Sequence, residues 1–133
     1  MITAYRRHAG PALLTSLAVF LPLNLVRYPL VEARWYPAAV ALTFLGHVAL
    51  VPLLRRRTGP DVPGVGLPAA AAGLVAITAL EVLGGRAVEA VVGRSTFGIT
   101  FGGFLPSVLL GPLWAMLVVG AWTARRERTP AAR

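Results

Sequence analysis

Four long stretches of the chain lack charged side chains, and charged residues lie only between and beyond them. They cover residues 8–26, 35–54, 62–80 and 95–124, which are 19, 20, 19 and 30 residues long. A helix that crosses the hydrocarbon core of a bilayer needs about 20 predominantly apolar residues. The pattern therefore predicts an all-α integral membrane protein, a four-transmembrane-helix bundle with spans at about 11–28, 37–54, 68–83 and 106–123.

The connections between these spans differ in composition. Residues 58–68 are rich in proline and glycine, which is typical of a loop. The fourth uncharged stretch would be about 45 Å long as a helix, so part of it must lie outside the hydrocarbon core. We expect residues 84–105 to form an outer segment, whose first half would suit a short interfacial helix. Residues 95–104 would suit a lid, a re-entrant loop or a flexible connector, and the connector is the simplest of the three.

Composition supports the same class, because 56% of the residues are hydrophobic and only 14% are charged. That leaves too little polar surface to coat a soluble globule of this size. Four spans and three connections nearly fill the 133 residues, so the chain should form a single domain over 1–133. The chain has no cysteine, which excludes disulfides and thiolate metal sites.

The net charge of +8 comes from thirteen arginines, and their distribution predicts the topology. Nine arginines flank the spans on the side of the two termini, and four lie on the other side. Because cytoplasmic loops are enriched in basic residues, both termini should lie in the cytoplasm of a multi-pass protein of the cell membrane. The basic clusters are too short for a nucleic-acid surface with interleaved aromatic residues. We expect the lipid bilayer, and no nucleic acid, as a partner.

Few polar side chains enter the predicted spans, and they are candidates for function because charge at membrane depth is costly. Glu81 lies in the outer half of the third span, Asn24 is at a comparable depth in the first, and His47 is near the centre of the second. Trp114 lies near the middle of the fourth span, where we expect its indole to bond a backbone carbonyl rather than a ligand. These four side chains could line one pocket that opens to the outer leaflet.

A second group of charges is expected at the outer rim of the bundle, namely Arg27, Glu32, Arg34, Arg86, Glu89 and Arg94. Glu81, Gly85 and Glu89 recur every four residues, so a continuous helix would place both carboxylates on one face. Gly84 and Gly85 could instead break that helix. Paired carboxylates suit general acid–base chemistry, and a structural ion-pair network that closes this end is the competing interpretation.

No metal or other cofactor is expected. His47 is near a span centre and His8 lies at the cytoplasmic end, so one chain cannot bring the two histidines to a haem or a metal ion. The familiar phosphate-loop, nucleophile-elbow and HExxH motifs are also missing from the sequence.

Three functions follow from these features. The preferred one is binding of an isoprenoid- or lipid-like molecule, with Glu81 as the general acid or base of a cyclase- or isomerase-type enzyme. Its candidate catalytic residues are Glu81 and Glu89, and its candidate ligand-binding residues are Asn24, Arg27, Glu32, His47, Arg86 and Trp114. One alternative is an oligomeric proton-coupled transporter in which Glu81 is the coupling carboxylate. The other is a non-catalytic accessory subunit of a membrane-protein partner, in which Glu81 pairs with an arginine.

Overall fold

The computed structural model describes residues 2–57, 64–93 and 96–128, and within these ranges the chain is helical apart from short connections. Helix α1 covers Ile2–Glu32, α2 Tyr36–Arg55, α3 Leu67–Val92 and α4 Thr96–Arg128. Each contains a segment that is long and apolar enough to span a membrane: Arg6–Glu32, Tyr36–Arg55, Leu67–Val92 and Gly102–Ala124. The prediction of a four-helix, all-α chain is confirmed, and four such helices indicate a multi-pass membrane protein.

The turn between α1 and α2 is tight and has a defined hydrogen-bond pattern. Arg34 has a positive φ of 61°, a conformation that side chains other than glycine seldom adopt. The Trp35 N–H donates to Leu30 O at 2.8 Å, and the Arg34 N–H donates to Val31 O at 3.0 Å. This pair of bonds around a left-handed residue is the Schellman motif, which closes a helix abruptly. It brings the first turn of α2 beside the last turn of α1.

Helix α4 is the central element, because it alone among the described helices packs extensively against each of the other three. Helices α2 and α3 meet only along a short stretch, and within the described residues no Cα atom of α1 lies within 8 Å of one of α3. The core includes Phe20, Leu50, Leu74, Trp114 and Met116. We call the end of the bundle marked by Glu32–Tyr36 and Val92 the turn end, and the end marked by Arg55–Arg57 the terminal end.

Most of the described part of the outer segment expected at residues 84–105 is helical, in 84–92 and in 96–105. Residues 96–104 form the first turns of α4, so the prediction of a flexible connector there is wrong. Helix α3 also continues through Gly84 and Gly85 to Val92. A Cβ atom added to Gly102 would lie 2.5 Å from Gly84 O, so only glycines allow the two backbones to pack this closely. That packing offsets the low helix propensity of glycine.

Some sequence predictions lie outside the described residues or only partly within them. Residues 58–63 of the predicted loop and Arg94 of the predicted rim are outside. Residues 64–66 are not helical, and α3 begins at Leu67. Pro68 occupies its first turn, where the missing N–H removes no intrahelical bond.

Candidate functional site

A buried ion pair links α1 to α3 near the turn end. Arg27 Nη1 lies 3.3 Å from Glu81 Oε1, and the two side chains are only 10% and 5% exposed. Ser107 Oγ, from α4, donates a hydrogen bond to the same carboxylate oxygen. Three helices therefore converge on Glu81, and the polar contact crosses between α1 and α3 although their backbones do not touch.

Glycine makes room for this contact. A Cβ atom on Gly103 would lie 3.2 Å from Arg27 Nη2 and 3.8 Å from Glu81 Cβ. The guanidinium therefore lies against the α4 backbone, one turn from Ser107. A buried charge needs both a counter-charge and hydrogen bonds to be tolerated in a low dielectric. Glu81 has both, which accounts for the nearly complete burial of a carboxylate within an apolar helix.

A cleft of about 320 Å³ opens beside this ion pair. It is lined by the end of α1, the beginning of α2 and the middle of α3, namely Arg27, Val31, Tyr36, Ala39, Val40, Glu81, Val82, Gly85 and Arg86. Most of these side chains are apolar or small. The charged groups are Arg27 and Glu81, both buried, and Arg86, whose side chain is 73% exposed. The cleft thus combines hydrocarbon walls with a compact group of charges.

A second ion pair lies on the same helix. Arg86 Nη1 is 2.9 Å from Glu89 Oε2, and the Glu89 side chain is 15% exposed. Since α3 is continuous, Glu81, Gly85 and Glu89 do share one face, as the four-residue spacing predicts. Glu81 lines the cleft, whereas Glu89 is outside the lining and bonds to Arg86, which belongs to it. The structure therefore does not give the two carboxylates equivalent positions.

His47 lies deeper in the bundle and does not line the cleft. It is fully buried, and its Nδ1 is 2.9 Å from Thr43 O one turn earlier in α2. Its ring packs against Phe20, at 4.8 Å between centroids, and against Trp114, at 6.1 Å. Among the described residues His47 Nε2 has no hydrogen-bond partner.

Trp114, Asn24 and Glu32 are likewise separate from the cleft lining. The indole N–H of Trp114 donates to Ala70 O at 2.6 Å, which confirms the expected backbone partner. Asn24 is half-buried on α1, and its Oδ1 has no hydrogen-bond partner in the described part of the chain. Glu32 is exposed at the end of α1. Of the predicted site residues, the structure thus brings together Arg27, Glu81 and Arg86, with Glu89 beside them.

Sequence reasoning missed Ser107, although the chain contains a signal for it. Glu81 lies 11 residues before the end of α3 at Val92, and Ser107 lies 11 residues after the start of α4 at Thr96. Consecutive helices joined by a short connection run antiparallel, so equal counts place the two residues at the same level. Counting residues in both directions from the connection between α3 and α4 would therefore have placed the Ser107 hydroxyl beside the Glu81 carboxylate. Tyr36 and Val31 were also missed, because nothing in the sequence distinguishes them from other interfacial or apolar residues.

No protein-family model, curated protein or solved structure matches the chain. The observations that bear on its function are therefore the cleft and the ion pair.

Proposed function

We propose that the protein binds a lipophilic, isoprenoid- or lipid-like molecule in the cleft between α1, α2 and α3. One observation carries the proposal: a cleft with mainly apolar walls has the buried Arg27–Glu81 pair among its lining residues. Ligand sites typically combine a largely hydrophobic lining with a few well-placed polar groups. A hydrocarbon chain would contact the walls, and a polar group at its end would contact the charges.

The separation of α2 from α3 supports access from within the bilayer. These helices contact each other only along a short stretch, so little of the chain blocks a path between them. Val40 and Val82 lie on the two sides of the cleft, and both are exposed in the isolated chain. A molecule dissolved in the lipid would therefore reach the cleft sideways, without crossing water.

If the bound molecule is also a substrate, the protein needs a catalytic group beside the cleft. Glu81 is the carboxylate that lines the cleft, so it is the residue we propose as general acid or base for a substrate held there. Both of its described bonds, from Arg27 and from Ser107, end on Oε1. Glu89 contacts Arg86 and is not needed for the binding proposal.

The accessory-subunit hypothesis is the second candidate, because the Arg27–Glu81 pair is the contact it expects. In that case Glu81→Gln would lower stability and would change no bound molecule. The transporter hypothesis needs Glu81 to exchange a proton and a substrate with both sides of the membrane, which charged groups on both sides of its level would assist. The buried charged side chains described here, Arg27 and Glu81, both lie near the turn end, which favours binding over transport.

We also propose that the protein lies in the cell membrane with both termini in the cytoplasm, so that the cleft opens to the outer leaflet. In the sequence, nine arginines flank the spans on the side of the two termini and four on the other side, which supports this orientation. Because the chain has no cysteine, single variants Thr3→Cys and Ala33→Cys can be labelled without background. In intact cells a membrane-impermeant maleimide should label Ala33→Cys alone, and labelling of Thr3→Cys alone would reverse the orientation.

Binding is tested by native mass spectrometry of protein released from nanodiscs made from cell lipids. We expect the wild type to retain a discrete lipophilic molecule. Val82→Phe, which adds bulk to the cleft, should lose it. Val75→Phe is the matched control, because Val75 lies seven residues earlier on nearly the same face of α3 and is exposed outside the cleft. Equal retention by both variants, or no discrete molecule on the wild type, would overturn the proposal.

A further inference from the structure

We infer that the ligand of the cleft carries an oxyanion, a carboxylate or a phosphate, at one end of a single hydrocarbon chain. The inference rests on the proposed function and adds the chemistry of the head group to it. It follows from three properties of the cleft: unused donors on Arg27, the sign of the charges in the lining, and the volume.

Arg27 has more N–H donors than the described residues bond to. A guanidinium has five N–H donors in a fixed plane. The described bond to Glu81 is 3.3 Å long, whereas charge-assisted N–H···O bonds are typically about 2.7–2.9 Å. The accepting oxygen is shared with Ser107, and Arg27 Nε is buried with no hydrogen-bond partner within the described ranges. An oxyanion beside Arg27 would supply the acceptors that this buried cation lacks.

The charges in the lining also favour an anion. The lining contains two cations, Arg27 and Arg86, and one anion, Glu81. Glu89 pairs with Arg86 without being part of the lining, and most of the Arg86 side chain stays exposed. Two arginines can bind a carboxylate or phosphate through paired N–H donors, which a hydroxyl or an ammonium group cannot match. Because the site lies against the apolar part of the chain, such charge contacts are stronger than they are in water.

The volume limits how much of the ligand the protein encloses. At about 320 Å³, the cleft is at the small end of the range of about 300–1,000 Å³ found for ligand pockets. It would hold the head group and the first part of a chain. The rest of the hydrocarbon chain would pass between Val40 and Val82 into the surrounding lipid. A ligand with a single hydrocarbon chain can adopt this arrangement.

The test compares three probes against the protein in phosphatidylcholine nanodiscs, again by native mass spectrometry. The probes are dodecyl phosphate, dodecanol, which has the same chain without the charge, and inorganic phosphate, which has the charge without the chain. We expect dodecyl phosphate to bind at least about tenfold more tightly than dodecanol, the factor that one charge-assisted hydrogen bond provides. Inorganic phosphate should leave no adduct.

Variants then locate the head group. Arg27→Gln should reduce dodecyl phosphate binding by about tenfold, towards that of dodecanol. Arg27 is buried and its replacement could prevent folding, so Arg86→Gln, at an exposed position, is the second variant and should weaken binding by a smaller factor. Arg56→Gln removes an exposed arginine at the terminal end and should change nothing.

The outcomes separate this inference from the proposed function. Equal binding of dodecanol and dodecyl phosphate would overturn the head-group inference and leave the lipophilic cleft intact. Binding of inorganic phosphate alone would show an anion site without a chain and would overturn both. Failure of every probe would also overturn both. A loss caused by Arg56→Gln, with none from Arg27→Gln or Arg86→Gln, would place the anion at the other end of the bundle and contradict the inference.

Discussion

The Arg27–Glu81 ion pair should be strongly coupled in a double-mutant cycle. The perturbations are Arg27→Gln, Glu81→Gln and the two together, all of which preserve approximate size and hydrogen-bonding ability. Each single change leaves one charge nearly buried, since the side chains are 10% and 5% exposed. Removing one partner of a buried pair destabilises soluble proteins by about 3–5 kcal/mol. The double variant has no unpaired charge at this site and should be less destabilised than the sum of the singles.

The size of the coupling follows from burial. For contacting residues in one buried network, interaction energies are about 0.5–3 kcal/mol, and we expect a value in the upper part of that range, about 1.5–3 kcal/mol. The Arg86–Glu89 pair provides a matched control with the same residue types, in which the arginine side chain is 73% exposed. Solvent screening should limit its coupling energy to about 0.5 kcal/mol.

Ser107→Ala should lower the free energy of unfolding by about 1 kcal/mol, because it deletes one hydrogen bond to Glu81.

The assay is reversible unfolding in bicelles, by titration with sodium dodecyl sulfate or by steric trapping, with the free energy of unfolding as the readout. Every variant is measured in the same lipid. A coupling energy for Arg27 and Glu81 no larger than that of Arg86 and Glu89 would refute the buried ion pair. Additive single effects of about 3 kcal/mol each would show that both residues matter for separate reasons.

Three further changes probe the packing around the site, each read out as the free energy of unfolding. Gly102→Ala should lower the free energy of unfolding by at least about 2 kcal/mol, because its Cβ would lie 2.5 Å from Gly84 O. Gly10→Ala is the control: no atom lies within 4 Å of its added Cβ, and the free energy of unfolding should change by less than about 1 kcal/mol. Equal effects of the two substitutions would contradict the close packing of α3 and α4. Trp114→Phe should lower the free energy of unfolding by about 1 kcal/mol, because it removes the hydrogen bond from the indole N–H to Ala70 O. An unchanged free energy of unfolding would argue against that bond. His47→Leu should change the free energy of unfolding by less than about 1 kcal/mol, because it removes both the buried Nε2, which has no described partner, and the Nδ1 contact to Thr43 O, and these effects oppose each other. A loss of about 3 kcal/mol or more would reveal an essential contact there.

The number and the approximate location of the helices could be predicted from the sequence. Bilayer thickness sets a minimum length for each apolar stretch, and the charges mark where the stretches end. The same pattern does not reveal helices that continue beyond the membrane. The sequence leaves the last turns of α3 open, as a continuous helix or as one broken at Gly84 and Gly85, and it favours a connector in place of the first turns of α4 because a 30-residue helix exceeds the hydrocarbon core. Whether a glycine pair breaks a helix depends on what packs against it, and here that is the backbone at Gly102.

The site was predicted in part. Glu81 stands out because a carboxylate inside an apolar helix is costly, and its partner had to be one of the cations near the same end. The sequence could not choose among those arginines, since α3 is apolar on nearly all sides and sets no rotation. Depth alone placed Asn24, His47 and Trp114 near Glu81. Depth along a span could not say which of these side chains would line the cleft, and the structure leaves all three out of the lining, with His47 and Trp114 packed together in the bundle core.

Photoaffinity labelling can map the binding surface itself. A fatty acid with a diazirine on its chain is incorporated into membranes that contain the protein, and labelled residues are identified by peptide mass spectrometry. We expect labels concentrated at residues 36–40 of α2 and 82–86 of α3, abolished in Val82→Phe and retained in Val75→Phe. Labels spread over the lipid-facing residues of all four helices, with both variants behaving alike, would contradict a binding cleft.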